Sequence, residues 1–290
     1  MTTATISTRS QLGQGYRENP YALTLGGMIH SEWIKAFSLR SIRWSIGISA
    51  LLGAALSLLM TFAVQQMVGP GTAGSEMINA ITSFPANFLC LVFAVLGVFI
   101  FSSEYSSGMI LSTLTAAPAR GPLLLAKALV TTFISGAAAV VNVIISALIA
   151  VVMIPSLRPS LFSAQTLTGM LGTVLFLIAV ALFSFAVAGI LRSTAGGITV
   201  AVAVIFVAPI VFSILMSTTS WTWVPAVANY LPTSLGEIAG YGAAPAGAAM
   251  LAETVAEGAP RYGQSLFGLG LWAVLPLVAS AVLFSRRDAK

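Results

Sequence analysis

The chain has 290 residues, of which 58% are hydrophobic and only 7% are charged, and its mean hydropathy is +0.98. About a quarter of the residues in a water-soluble domain are charged, so this composition excludes that class and indicates an integral membrane protein. The formal net charge is +5. We expect the basic residues behind this charge to set the membrane orientation, and they require no nucleic-acid partner.

The N-terminal region precedes the first long apolar segment. We expect residues 1–21 to form a flexible cytoplasmic tail and residues 22–290 to form a single transmembrane domain. In a helix over residues 22–43, one side would carry Leu25, Ile29, Trp33 and Phe37. The other side would carry Ser31, Glu32, Lys35 and Ser38. This pattern predicts an amphipathic helix on the inner membrane surface, with Arg40 and Arg43 at the anionic headgroups. A plain orientation signal is the alternative, and the two roles are compatible.

Six apolar segments are long enough to cross a hydrocarbon core of about 30 Å, which takes about 20 helical residues. They run from Trp44 to Val64, Phe84 to Phe101, Leu123 to Ile154, Leu167 to Leu191, Gly197 to Met216 and Leu266 to Phe284. Lipid offers no partner for free backbone groups, and the segments lack the alternating pattern of barrel strands. The predicted fold class is therefore all-α, with six transmembrane helices.

The basic residues predict the orientation of these helices. With a cytoplasmic N-terminus, the inner side holds Arg9, Arg17, Lys35, Arg40, Arg43, Arg120, Lys127, Arg192, Arg286, Arg287 and Lys290. The outer side then holds only Arg158 and Arg261. Because cytoplasmic loops carry an excess of Lys and Arg, we expect both termini in the cytoplasm.

A polar loop, residues 102–122, follows the second segment. Its part from Tyr105 to Leu114 predicts a short amphipathic helix that Pro118 ends, and Pro122 suits the first turn of the next helix. The third segment has 32 residues, about 48 Å of helix, so one end must tilt or project from the hydrocarbon core. Lys127 indicates that its first turn is cytoplasmic.

The six segments contain no Asp, Glu, Arg or His, and Lys127 is their only lysine. Nothing in them could hold a coupling ion, and Asn142 is expected to form hydrogen bonds between helices. The chain has no phosphate-binding loop and no ligand cluster at metal-site spacing. We therefore expect no enzyme activity, no metal site and no cofactor on this chain. Energy for uphill transport would have to come from another polypeptide.

The loop and the N-terminal region resemble parts of a known family. Six positions carry the first resemblance: Glu104, Gly108, Leu114, Pro118, Arg120 and Lys127. Directly after the second of six spans, they resemble the coupling loop of permease subunits of type-2, exporter-type ATP-binding-cassette (ABC) transporters. The stretch "SEWIKAFSLRSIRW", residues 31–44, is similar to the region before the first span in bacterial members.

This resemblance implies that residues 102–120 dock on a cytosolic ATPase subunit. The implied docking residues are Glu104, Tyr105, Gly108, Met109, Leu111, Leu114, Pro118 and Arg120. The implied interfacial helix includes Ile29, Glu32, Trp33, Lys35, Phe37 and Arg40. The family further implies two ATPase subunits that hold ATP and Mg²⁺, a second permease copy or homologue, and a bacterial plasma membrane location. Alternatively, the loop is an ordinary connector whose Glu104 and Arg120 are solvated.

The segment 217–265 between the last two spans is too apolar for a free linker and too interrupted by Gly and Pro for another span. Trp221, Trp223 and Tyr230 suit the outer membrane interface. The resemblance implies short helices here that enter the outer leaflet and cap the transport route. A folded outer loop without a gating role is the alternative.

The spans are rich in Phe, Leu, Val and Met, which favours a hydrophobic or amphipathic substrate over a sugar or an ion. Two other classes of protein remain as alternatives. One is a non-transporting membrane scaffold or immunity-type protein, and the other is a membrane-embedded enzyme.

Overall fold

The structure is a computed structural model that describes residues 24–67, 74–106, 108, 120–243 and 259–286. These residues form helices and connections without any strand. The α-helices are α1 (Leu25–Ser38), α2 (Arg40–Met67), α3 (Ser75–Ser83), α4 (Ala86–Ser106), α5 (Arg120–Met153), α6 (Ala164–Leu191), α7 (Thr194–Val202), α8 (Ala208–Thr218), α9 (Trp223–Ala228), α10 (Pro232–Tyr241) and α11 (Tyr262–Arg286). A 3₁₀-helix, Pro155–Ser160, follows α5, and a π-helical turn, Ala203–Val207, joins α7 to α8.

Six helical stretches are long and apolar enough to cross a membrane, which confirms the predicted fold class at this level. They are Arg40–Gln66, Ser75–Tyr105, Gly121–Met153, Ala164–Leu191, Thr194–Thr218 and Tyr262–Arg286. Each contains or overlaps one predicted segment. The third is as long as predicted: α5 has 34 residues, about 51 Å of helix. The predicted tail, residues 1–21, lies outside the described residues.

The spans alternate in direction, so the bundle has two distinct ends. At one end, which we call the basic end, α2 and α5 begin and α4, α6 and α11 finish. Apolar side chains from these helix ends pack into one cluster that includes Ile42, Phe101, Leu123 and Phe284. The helix ends there also carry Arg40, Arg43, Lys127, Arg192 and Arg286. The opposite end carries Arg158 and Arg261.

Helix α6 is the centre of the bundle and packs against α4, α5, α7, α10 and α11. Two glycines allow the closest of these approaches. A Cβ added at Gly97 of α4 would overlap the carbonyl of Ala181 in α6. A Cβ added at Gly172 of α6 would overlap the carbonyl of Ala239 in α10. Small residues thus let helix backbones meet, as is common in membrane bundles.

The second and fifth spans are more irregular than the sequence predicts. The second begins with α3, and Pro85, which has no N–H to donate, marks its junction with α4. The polar residues of α3 hid this helix from a search for apolar segments. In the fifth span the π-helical turn directly precedes α8, where Pro209 removes a backbone donor. None of the residues of α8 is buried in the chain.

The segment between the last two spans contains two short helices in its described part. Helix α10 packs against α3, α6 and α11, and five of its ten residues are buried. The indole of Trp272 in α11 donates a 2.9 Å hydrogen bond to the carbonyl of Tyr230. Trp221 and Trp223 are exposed and stack on each other, with ring centroids 5.8 Å apart. A capping role for these helices stays a prediction.

Asn142 connects two spans, as predicted. Its side-chain amide donates to the Ser49 hydroxyl of α2 at 3.4 Å and to the Ala138 carbonyl of its own helix at 2.8 Å. One turn further along, the hydroxyls of Ser57 and Ser146 also meet across the α2–α5 contact. These hydrogen bonds join α2 to α5, as polar side chains commonly do between membrane helices, although Asn142 Oδ1 accepts no hydrogen bond within the described residues.

Candidate functional site

The structure describes only some of the residues that the sequence assigns to ATPase docking. Glu104 and Tyr105 lie in the last turn of α4, and Gly108 is an exposed turn residue with φ of 71°. This positive φ favours glycine, because it carries no Cβ. The backbone of Arg120 begins α5. The remaining docking residues lie outside the described residues: Met109, Leu111, Leu114 and Pro118.

Helix α1 is shorter than the predicted stretch 22–43. It begins after Thr24, whose hydroxyl accepts a 3.1 Å hydrogen bond from Gly27 N–H, and it ends at the extended residue Leu39. This break separates α1 from the first span, which begins at Arg40 rather than at Trp44. Because the chain can turn at Leu39, the direction of α1 is independent of the direction of α2.

The orientation of α1 differs from the prediction of an apolar side facing the membrane and a polar side facing water. Trp33 and Phe37 are each 39% exposed, with their ring centroids 5.0 Å apart, so the predicted apolar side faces outward in part. Glu32, predicted on the water-facing side, is buried, and Ala36 is buried next to it on the same helix face. Ile29 packs at the edge of the apolar cluster of the basic end. One face of α1 therefore packs against protein, which amphipathic periodicity alone does not reveal.

Two acidic and two basic side chains from three helices meet at this packed face. We call them the ion cluster: Glu32 and Lys35 of α1, Glu104 of α4 and Lys127 of α5. The Lys127 ammonium lies 2.6 Å from Glu32 Oε2 and 2.9 Å from Glu104 Oε1. The Lys35 ammonium lies 2.9 Å from Glu32 Oε1 and 3.0 Å from Glu104 Oε1. Each lysine thus contacts both glutamates, and the formal charge of the cluster is zero.

Burial makes this arrangement more than a surface salt bridge. The side-chain exposure is 3% for Lys127, 5% for Glu32 and 6% for Glu104, whereas Lys35 retains 35%. Exposed ion pairs contribute little to stability, but removing one partner of a buried pair leaves an uncompensated charge. Because each lysine contacts both glutamates, a change at one of the four side chains would leave its oppositely charged neighbours without full compensation.

The pKa of Lys35 reflects these contacts. Burial alone would lower the pKa of its ammonium group, but hydrogen bonds and attraction from Glu32 and Glu104 outweigh that effect. The pKa of Lys35 consequently lies above its ordinary value of 10.5. Its ammonium is charged throughout the physiological pH range.

The end of α4 has a further contact beside the ion cluster. The ring of Tyr105 stacks on Phe101, with centroids 5.5 Å apart, and the Arg192 guanidinium lies 5.8 Å from the centroid of the Tyr105 ring. Arg192 follows α6 in a left-handed conformation, with φ of 52°. The final turn of α4 is therefore held by α1 and α5 on one side and by the α6–α7 connection on another.

Sequence reasoning found part of this site. It named Glu32 and Lys35 for the interfacial helix and Glu104 and Tyr105 for docking, but it treated the two sets as separate. The alternative that Glu104 is merely solvated is wrong, because its carboxylate is buried against two lysines. Lys127 also belongs to the ion cluster. From the sequence, Lys127 indicated only that the first turn of the third segment is cytoplasmic. Lys127 is the one lysine in the six predicted segments, and a charged residue in such a segment usually has a buried partner, which could have indicated its role.

Over the described residues these features define an all-helical protein with six helices long and apolar enough to cross a membrane, and with a buried ion cluster at its basic end. No protein-family model matches the chain, and no curated protein sequence matches it either.

Proposed function

We propose that this chain is the membrane-spanning permease subunit of an ATP-driven, exporter-type ABC transporter in a bacterial plasma membrane. In this proposal the basic end faces the cytoplasm, and a separate ATPase that holds ATP and Mg²⁺ docks on the segment between α4 and α5. The substrate is hydrophobic or amphipathic. The ion cluster is the observation that carries the proposal.

The cluster supports a mechanical role because of its position in the chain. Glu104 lies two residues before the end of α4, and Lys127 lies seven residues after the start of α5. Both attachments of the docking segment are thus tied to each other and to α1 by ion pairs. A displacement of the docking segment would move these helix ends as one unit, since breaking a buried pair is costly. Movement of an ATPase could reach the membrane spans in this way.

The proposed orientation follows from the distribution of charge. Among residues that the structure describes, the basic end carries Lys35, Arg40, Arg43, Lys127, Arg192 and Arg286. The opposite end carries Arg158 and Arg261. The excess of Lys and Arg favours a cytoplasmic basic end. Arg40 and Arg43 are exposed, so their side chains are free to meet anionic headgroups.

The proposal includes a second permease, either a copy of this chain or a homologue. The centre of the bundle is filled by α6, whose backbone approaches α4 and α10 closely. A route for a sizeable substrate would therefore lie between two bundles, and each permease would engage one ATPase. The exposed fifth span leaves apolar surface available for such a contact.

A cross-linking experiment tests the proposal. The chain is purified from native membranes with a single added thiol at Gly121→Cys, an exposed position at the start of α5 where a Cβ meets no neighbour. The native thiol, Cys90, is buried and should not react. Gly263→Cys, equally exposed at the opposite end, is the matched control. We expect Gly121→Cys to cross-link to a nucleotide-hydrolysing protein, and Gly263→Cys not to do so.

The ATPase activity of the captured partner is then measured with and without this chain in lipid vesicles. Activity that depends on the chain supports the permease. A chain that purifies alone, with no cross-link to an ATPase from Gly121→Cys, would favour the scaffold or the enzyme instead.

A further inference from the structure

A small pocket lies in the half of the bundle away from the ion cluster. It has a volume of about 90 Å³ and lies between α2, the α3–α4 junction, α6 and α10. Its lining includes the apolar residues Met60, Phe84 and Phe176 and the polar residues Asn87, Glu237 and Tyr241. A mixed lining of this kind suits a ligand that is itself amphipathic.

The pocket lies inward from the ends of two of the long helices. Thr173, which lines it, is nine residues into α6, and Met60 is seven residues before the end of α2. Glu237 is an acidic residue in its lining, and ionisable residues within membrane domains often mark a functional site.

Glu237 has no partner of opposite charge among the described residues, where all ion pairs belong to the ion cluster. Among the described residues, Arg158 and Arg261 are the basic residues of this half of the bundle, and neither forms an ion pair with Glu237. Residues 68–73 and 244–258, which the structure does not describe, contain no Lys, Arg or His. Neither the described residues nor these two segments therefore supply a cation to this carboxylate. Glu237 is exposed, so a cation from outside the chain can reach it.

The neighbouring polar groups are also available to a ligand. The side-chain amide of Asn87 and the hydroxyl of Tyr241 make no hydrogen bond with the part of the chain that the structure describes. By contrast, the hydroxyls of Thr173 and Ser83 already donate to backbone carbonyls at 3.0 and 2.6 Å. Glu237 and Tyr241 both line the pocket, and burial and the negative charge of Glu237 both raise the pKa of the Tyr241 hydroxyl.

We propose that this pocket binds the ammonium head of an amphipathic cation, with Glu237 as its counter-charge and Asn87 and Tyr241 as additional acceptors. The inference rests on the proposed function and narrows its substrate class to apolar molecules that carry a positive head. With a volume of about 90 Å³, the pocket admits a head group and leaves the tail beyond it. A divalent metal ion fits less well, because it prefers six or more oxygen ligands and the pocket supplies one carboxylate.

The test uses the full chain in phosphatidylcholine nanodiscs, without ATP and without any ATPase. The probes are a photoreactive dodecylammonium, whose N–H groups can donate to Glu237, Asn87 and Tyr241, and the uncharged dodecyl alcohol with the same photoreactive group. Labelling is measured by mass spectrometry on the peptides that contain residues 84–87 and 236–241. We expect the cation to label these peptides about tenfold more than the alcohol, as a charge-assisted contact allows.

The variant Glu237→Gln should remove this preference, whereas Glu237→Asp should retain much of it. Glu76→Gln removes an acidic residue from the first turn of α3 and should leave the preference unchanged. Thermal unfolding is recorded for every variant. If Glu237→Gln does not fold, the inference is judged from the unaltered chain, by whether the cation labels the peptides with residues 84–87 and 236–241 more than the alcohol does. Equal labelling by both probes, or an undiminished preference in a folded Glu237→Gln protein, would overturn the inference. Because no ATPase is present, such a result leaves the ATP-driven permease untouched.

Discussion

The Lys127 ammonium lies 2.6 Å from Glu32 Oε2, although the two residues are 95 positions apart in the chain. The contact joins α1 to the start of the longest span. Glu104 and Lys35 complete the cluster, so three helices share one neutral set of charges. The basic end is consequently held by directional ion pairs in addition to apolar packing.

Replacing Lys127 by methionine should destabilise the protein. Lys127→Met keeps an unbranched apolar stem but leaves two buried carboxylates with one lysine. Removing one member of a buried ion pair costs about 3–5 kcal/mol, so the free energy of unfolding should fall by that order. Arg286→Met, at an exposed position of the same end, is the control and should change stability little. Unfolding is followed in detergent micelles, and equal stability of both variants would contradict a structural role for the cluster.

Replacing Glu104 by glutamine tests coupling more directly. Glu104→Gln keeps the shape of the side chain and removes its charge, which should weaken contacts worth about 1.5–3 kcal/mol. We expect expression to be retained and ATP-driven transport in vesicles to decrease. Glu76→Gln, which alters an acidic residue outside the cluster, should transport normally. Unchanged transport by Glu104→Gln would remove this residue from the mechanism.

The pKa of Lys35 predicts how the cluster responds to pH. Since the folded-state pKa lies above 10.5, the stabilisation from Lys35 is fully present below that value. It is lost as the pH rises through the folded-state pKa. The difference in unfolding temperature between the unaltered protein and Lys35→Met should therefore stay constant from about pH 6 to about pH 9. A difference that already disappears within this interval would show that Lys35 is not ion-paired.

The contact between α4 and α6 predicts a strong difference between two glycines. Gly97→Ala should destabilise the protein by about 1–3 kcal/mol, because its Cβ would overlap the carbonyl of Ala181. Gly47→Ala in α2 meets no neighbour within 4 Å and should be neutral or slightly stabilising. Thermal unfolding of the two variants in the same detergent gives the comparison. Equal melting temperatures would show that α4 and α6 do not approach as closely as described.

The orientation can be measured with a thiol reagent that does not cross membranes. In intact cells, Gly263→Cys should react and Gly121→Cys should not, because the basic end is proposed to face the cytoplasm. Disrupting the cells should expose Gly121→Cys to the reagent. Reaction of Gly121→Cys in intact cells would reverse the orientation and place the ion cluster outside.

Segment length and hydropathy were enough to predict the membrane class of this protein and its six candidate spans. The number of spans depends on segment length and hydropathy, and the thickness of a membrane is the same for every segment. Local pattern also indicated that residues near Trp33 form a helix. These features could be found because each depends on residues close together in the chain.

The positions of Glu32, Glu104 and Lys127 could not be predicted in this way, because they depend on helix packing. Hydropathy assigns glutamate and lysine to water, but opposite charges can be buried when they meet with good geometry. Their meeting depends on how α1, α4 and α5 pack, which periodicity within one helix does not encode. The same holds for Glu237, which has no partner of opposite charge among the described residues, as is visible only once α10 is placed against α3, α6 and α11. Charge pairing is a property of neighbours in space, and the chain order does not specify those neighbours.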